Sequence, residues 1–162
     1  MARDATVLPT FTASSFPTPL STEARVILDY GLVAVSMKIG IAFGLTDGSV
    51  LYTVPAGKKF QIGKAYWEIT TSFTGGTASA IGISASDPDY NTAGDILGGA
   101  GGDLAATLVS TGRVYKSGTQ GTKFGSNGIV VVGSGYDIKF NRIVSAFAAG
   151  AGWLHLDGHL ID

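Results

Sequence analysis

The chain reads as an all-β protein, a single β-sandwich of jelly-roll type with an extended N-terminal arm. Three observations predict it. Apolar residues recur with period two, and no stretch sustains a 3.6-residue period with caps. About eight short strand patterns are separated by Gly-rich turns, the spacing of sandwiches and jelly rolls. The clearest stretch, VLYTVPAGKKFQIGKAYWEITTSF from Val50 to Phe73, holds a strand whose apolar set changes parity partway. Only an extra residue can move that set to the other face.

Residues 1–24 differ from the rest. Pro9, Pro17 and Pro19 fall among Thr, Ser and Ala, with Phe11 and Phe16 as isolated aromatics. Each proline removes a backbone donor and biases its predecessor toward extended backbone. This predicts an arm with no helix and no regular strand, and residues 25–162 form the sandwich domain. Two readings of the arm stand: an unstructured terminus, or a strap across a neighbouring subunit anchored by Phe11 and Phe16.

From Arg25 to Gly44 odd positions become apolar (Val33, Val35, Met37, Ile39, Ile41, Phe43), which predicts a strand. Thr46-Asp47-Gly48 turns into Val50–Val54, and Pro55-Ala56-Gly57-Lys58 makes the next reversal. Phe60 and Ile62 then occupy even positions, whereas Ala65, Trp67, Ile69 and Phe73 occupy odd ones. A β-bulge near Gly63-Lys64 is expected, bending this spine between sheets. Thr74–Thr77 closes a second hairpin before Ala78–Ala85, with Ile81, Ile83 and Ala85 on one face. Residues 86–102 form a connection of the length usually reserved for function or contact. Asp103–Val109 fits a strand or a helical turn, and Arg113–Lys116 a brief strand. Ile129–Val132 reads as a strand buried on both faces. Tyr136–Phe140, Ile143–Phe147 and Trp153–Ile161 complete the set.

Composition narrows the function classes. Net charge is −1, which supplies no basic field for nucleic acid or an anionic membrane. Charged residues make up 14%, against about 25% in an average soluble domain. Either partners cover much of the surface, or a Ser/Thr-rich surface replaces the charge. The chain has no cysteine, hence no disulfide and no thiolate chemistry. No secretory signal and no bilayer-length apolar run is visible, so a soluble protein made in the cytoplasm is expected.

Candidate sites are few. On a strand, His155, Asp157 and His159 share one face with Trp153, and Leu154, Leu156 and Leu160 take the other. The two histidines then lie roughly 13–14 Å apart, too far for one zinc with bonds of about 2.1 Å. Trp153, His155 and His159 are instead candidates for a subunit contact, or an ordinary strand face. Asp87, Asp89, Asn91 and Asp95 mimic the start of a calcium loop. Thr92 and Gly98 stand where its glycine and bidentate glutamate belong, and Asx-turns account for the same residues. Neither Gly-rich stretch, 94–102 or 118–128, ends as a phosphate loop does. No nucleophile elbow and no singled-out pair of carboxylates appears. No enzyme activity, cofactor or metal is expected.

The Pro-rich arm, the VPAGKKFQIGKAYWEITT strands, the Gly-rich middle and the terminal AGWLHLDGHLID strand together resemble capsid decoration (cement) proteins of tailed bacteriophages. The resemblance covers roughly residues 45–162. It implies a non-enzymatic homotrimer on the outer capsid surface of the virion, with the major capsid protein and itself as partners. Such a protein stabilises the shell and carries no catalytic residues. The rival expectations are a carbohydrate- or receptor-binding module of a phage fibre, with Tyr90, Tyr115 and Trp153 as its aromatics, and an unrelated trimeric sandwich of the tumour-necrosis-factor-like type.

Overall fold

Strands that alternate apolar and polar residues can bury one face each only if two sheets share an interior. That is the arrangement found. The computed structural model describes residues 22–29, 32–75, 78–110, 112–124 and 128–162, with residues up to 33 described by backbone alone. Most of the expected arm, including Phe11 and Phe16, lies outside the described residues. The strands are β1 (Thr22–Asp29), β2 (Leu32–Ala42), β3 (Val50–Thr53), β4 (Lys59–Gly75) and β5 (Ala80–Ala85). They continue with β6 (Asp103–Leu104), β7 (Val114–Lys116), β8 (Val130–Val132), β9 (Asp137–Ile143) and β10 (Phe147–Ile161). A six-stranded large sheet runs β1-β2-β10-β4-β7, with β8 also on β4, and a four-stranded small sheet runs β3-β9-β5-β6. Every pairing is antiparallel.

The pairings are nested. β2 pairs with β10, β3 with β9, β4 with both β7 and β8, and β5 with β6. From β2 to β10 the chain is therefore one long ribbon with residues 86–102 at its tip. The ribbon folds over so that β10 also meets β4, and β9 also meets β5.

This path corrects several expectations. Residues 25–44 are two strands, β1 and β2, with Asp29 facing Leu32, and β1 takes in the last residues of the expected arm. The turns after β3 and after β4 are not hairpins, because each carries the chain from one sheet to the other. The chemistry of the first is as read: Lys58 N–H donates to the Pro55 carbonyl at 3.1 Å, and Gly57 takes a φ of 75°. Turn residues encode a reversal but not which sheet receives the next strand. Of the expected strand at 143–147, Ile143 ends β9, Phe147 begins β10, and 144–146 are the turn between them. β8 buries Val130 and Val132 but leaves Val131 half-buried and Ile129 exposed.

The bulge in β4 stands where parity placed it. Asp157 faces Lys64 and Gly158 faces Ile62, which leaves Gly63 unpaired. Phe60 and Ile62 before it, and Trp67, Ile69 and Phe73 after it, all point into the core. β4 nevertheless stays in the large sheet throughout, so the bulge resets its faces and does not bend it between sheets. Gly158 lies so close to β4 that a Cβ there would collide with the Gln61 carbonyl.

Met37, Ile39 and Leu154 from the large sheet meet Ile81, Ile83 and Phe140 from the small one in a single core. Each such burial stabilises by about 1.5–3 kcal/mol. Tyr52 meets Phe60 edge-on at 5.8 Å, and burial pushes its phenol up to about 12. The one polar atom of Trp67 is satisfied: Nε1 donates to buried Asp103 at 2.7 Å, whose other oxygen accepts from Thr119 N–H and Oγ1. The ribbon tip folds inward. Ile83 N–H donates to the Leu97 carbonyl at 2.7 Å and Ile96 N–H to the Ile83 carbonyl at 2.9 Å. β5 is consequently buried on both faces, not one.

Gly158→Ala should destabilise the protein by about 1–3 kcal/mol, the usual range for overpacking. Gly44→Ala, where nothing lies within 4 Å of a new Cβ, should change little. Urea titrations of both variants check this, and equal midpoints would refute the close approach at Gly158.

Candidate functional site

Once the bulge has reset the faces of β4, Tyr66 and Glu68 point away from the core. They join the outer face of the large sheet, where register sets their neighbours. Glu68 faces Trp153 of β10 and Tyr115 of β7, and Tyr66 faces His155, which in turn faces Lys38 of β2. Trp153, His155 and His159 all lie on this outer face, while Leu154, Leu156 and Leu160 are buried beneath. The expected sharing of faces along β10 holds.

Glu68 is the centre of the face. Its side chain is 0% exposed although it points outward, because Lys38, Arg113 and His155 close over it. His155 Nε2 donates to Oε2 at 2.8 Å, and Lys38 Nζ lies 3.2 Å from the same oxygen. Arg113 Nε stands 2.7 Å from Oε1, in ion-pair contact without a well-directed hydrogen bond. Burial alone would raise this carboxyl. The hydrogen bonds from His155 and Lys38, with the charges of Lys38 and Arg113, outweigh it and hold the group below its ordinary value near 4.5. Glu68 is therefore an anion whose Oε2 is engaged by His155 and Lys38, while Oε1 has the Arg113 charge beside it but no hydrogen bond.

Aromatic rings frame this network. Tyr66 and His155 stack at 4.6 Å with an interplanar angle of 7°, and Tyr115 tilts against both at 6.3 and 6.0 Å. Lys38 sits over the Trp153 ring at 4.7 Å and Lys64 over Tyr66 at 4.9 Å, geometry suited to cation–π attraction. The Tyr66 phenol is raised by burial, then by Asp157, Tyr115 and Glu68. Tyr115 is 60% exposed. Tyr90 belongs elsewhere: its hydroxyl accepts from Val131 N–H.

Beside the network the face is grooved. At Gly63, which presents no side chain to this face, there is a depression of about 480 Å³ rimmed by Ser36, Gln61, Lys64, Asp157 and His159. A second depression of about 360 Å³ adjoins it across Lys64, lined by Tyr66, Tyr115 and Lys116.

Asp87 and Asp95 of the 86–102 loop are engaged in bonding to backbone N–H groups. Asp87 accepts from the N–H groups of Asp89 at 3.1 Å and Gly133 at 2.8 Å. Asp95 accepts from Thr92 N–H at 2.9 Å and from Thr122 Oγ1. The Asx-turn reading fits this loop, which pins the ribbon tip to neighbouring segments. Among the described residues no group of three or more His, Asp or Glu side chains is placed to hold a metal.

No family model, curated protein or solved structure matches the chain.

Because folding lowers the Glu68 carboxyl, the stability it contributes is present above the ordinary glutamate value and is lost as pH falls through that range. Thermal melts between about pH 6 and pH 3 should therefore show a shallower acid-side decline for Glu68→Gln than for the wild type. The variant should also melt lower at pH 7, since Lys38 and Arg113 lose their counter-charge. Parallel acid limbs would refute the network's contribution.

Proposed function

We propose that the protein is a non-enzymatic virion component that decorates and stabilises the outer surface of a tailed-phage capsid as a homotrimer. The nested ribbon supports reading the sandwich as a jelly roll, an architecture that recurs in viral capsid proteins and lectins. Fold does not decide function, so the reading needs a surface suited to docking.

One end of the sandwich is such a surface, and Val144 is the observation that carries it. This β-branched residue has a φ of 73°, and Ser145 N–H donates to the Ile143 carbonyl across it at 3.1 Å. That is the γ-turn of positive φ, a rare and strained form, especially for a β-branched residue. The side chain so held is 77% exposed. Strain of roughly 1–3 kcal/mol thus presents an isopropyl group to solvent, with no gain inside the fold. Phe43, Leu104 and Val109 are exposed at the same end, in or beside the connections that follow β2 and β6. A partner that buries these four side chains would recover the hydrophobic free energy that the monomer leaves unused. Repetition in a trimer multiplies weak contacts of this size.

Imaging of purified particles should place the protein on the outer shell at a fixed copy number, and light scattering should give about three times 16.6 kDa. Val144→Asp should abolish particle occupancy while the fold survives. Val144→Gly should stabilise the free protein by about 1 kcal/mol through relief of strain and weaken occupancy. A protein absent from particles, or occupancy unchanged by Val144→Asp, would overturn the reading.

A further inference from the structure

We propose that the open edge of β4 between β7 and β8 is a docking slot for the C-terminal tail of another polypeptide. The tail pairs there as a short extra strand and sets its terminal carboxylate on two lysines. The proposal is independent of the capsid reading, which uses Val144 and the apolar side chains near it.

Sheet register defines the slot. β10 occupies one edge of β4 over its whole length. On the other edge β8 pairs with Phe60–Ile62 and β7 with Trp67–Ile69, so Gly63, Lys64, Ala65 and Tyr66 face no strand there. Among the described residues no backbone hydrogen bond from a loop reaches these four either. The flanking rungs, at Ile62 and Trp67, are about 17 Å apart on a strand that rises about 3.4 Å per residue. Carbonyl direction shows which groups are free. The carbonyls of Gln61 and Glu68 lie against Gly158 and Gly152 of β10. Alternation from Glu68 then turns the N–H and C=O of Ala65 into the gap. Unpaired edge groups of this kind are a template for one more strand.

The gap has a cause. After Lys116 the chain leaves β4 for the ribbon tip. Thr119 N–H and Oγ1 donate to buried Asp103, the Thr119 carbonyl accepts from Gly98 N–H at 2.8 Å, and Gln120 bridges to Leu97. Between this detour and β4 a cavity of about 240 Å³ remains, lined in part by Ile96, Leu97 and Phe124. It is smaller than the roughly 300–1,000 Å³ of small-ligand sites and suits an apolar side chain carried by an added strand.

Charge and access select the occupant. The Lys64 ammonium lies over the Tyr66 ring, and Lys116 faces Trp67. Both line the depression that adjoins the cavity at Tyr66 and Ser117, so the cations gather at the Trp67 end of the gap. Asp157, in the register row of Lys64, accepts from Ser36 Oγ at 2.6 Å and stands against only one of them. Buried Glu68 is already covered by Lys38, Arg113 and His155. A carboxylate is the complementary group. Strands close the gap at both ends, so a chain running straight through the sheet plane would strike Val130 or Lys116. A tail needs only one way in. It enters over Gly63, which is exposed and has no side chain, runs parallel to β4 and ends at the lysines. An N-terminal amine would meet like charge there. Strand addition and capture of a terminal carboxylate are both recurring modes of peptide recognition.

Amide exchange followed by NMR on the full-length protein tests the slot itself. In the free protein Ala65 should exchange about tenfold or more faster than Tyr66 and Trp67, whose amides are paired. The probe is the heptapeptide GSVTVTV as the free acid, as the C-terminal amide, and embedded as GSVTVTVGSGSG. The free acid should bind and slow exchange at Ala65. The amide and the embedded form should bind about tenfold or more weakly, as should the free acid to Lys116→Gln, because a charged contact is lost. Lys116→Gln should keep the wild-type melting temperature. The proposal is overturned if Ala65 is protected in the free protein, by its own chain or by a second copy. It is equally overturned if the free acid does not bind, if either other form binds as well, or if Lys116→Gln binds as wild type does. Val144→Asp should bind the free acid unchanged, which keeps the fate of this slot separate from that of the capsid reading.

Discussion

Everything in the fold depends on β4 lying against β10. This pairing turns a nested ribbon into a closed sandwich, since β10 already holds β2 on its other edge. Two glycines make it possible: Gly63, which absorbs the extra residue of the bulge, and Gly158, which allows close approach. The bulge does more than relieve a mismatch. By shifting the parity of β4 it sends Trp67 into the core and Glu68 to the outside, two adjacent residues with opposite demands. Without it, the tryptophan would face solvent and the glutamate would lie between the sheets with no cation to meet it. Burying an unpaired carboxylate there would cost far more than the bulge does.

The outer face that results is unusually organised for a charge-poor protein. A single glutamate is covered by lysine, arginine and histidine, and the histidine is clamped by a tyrosine. Exposed ion pairs ordinarily contribute little because water and side-chain entropy compete with them. Here Lys38 and His155 are also held by the Trp153 and Tyr66 rings, so less freedom is lost when their contacts form. The face is therefore stiff, a property that suits recognition more than it is needed for stability. At the end of the sandwich the logic is opposite. There the chain accepts strain at Val144 to keep an apolar side chain outside.

Much of this was legible before any coordinates. Period-two alternation located most strands, and the parity change from Ile62 to Ala65 was sufficient to locate the bulge. Alternation along β10 also put Trp153, His155 and His159 on one face. Glu68 was not recognisable as a centre. Its partners come from residues 38, 113 and 155, and only the register of three strands brings them together. The turns at 55–58 and 74–77 were read as hairpins because Pro and Gly signal a reversal regardless of where the next strand pairs. Residues 143–147 resembled a strand since Val144 is β-branched, and nothing local announces a positive φ at such a residue. The loop 86–102 looked available for contact, whereas Ile96 and Leu97 turn it into a cover for the protein's own small sheet.

The nested ribbon has a consequence for synthesis. β10 follows every other described strand along the chain, yet it sits between β2 and β4 in the large sheet. Until residues 147–161 emerge, β2 and β4 have no common partner, and their apolar faces wait unsheltered. Only β1 with β2, and β5 with β6, can pair early over short separations. Closure of such distant contacts is slow, and chains waiting for it are exposed to aggregation. A chain interrupted before residue 147 therefore lacks the middle of a sheet, not an edge.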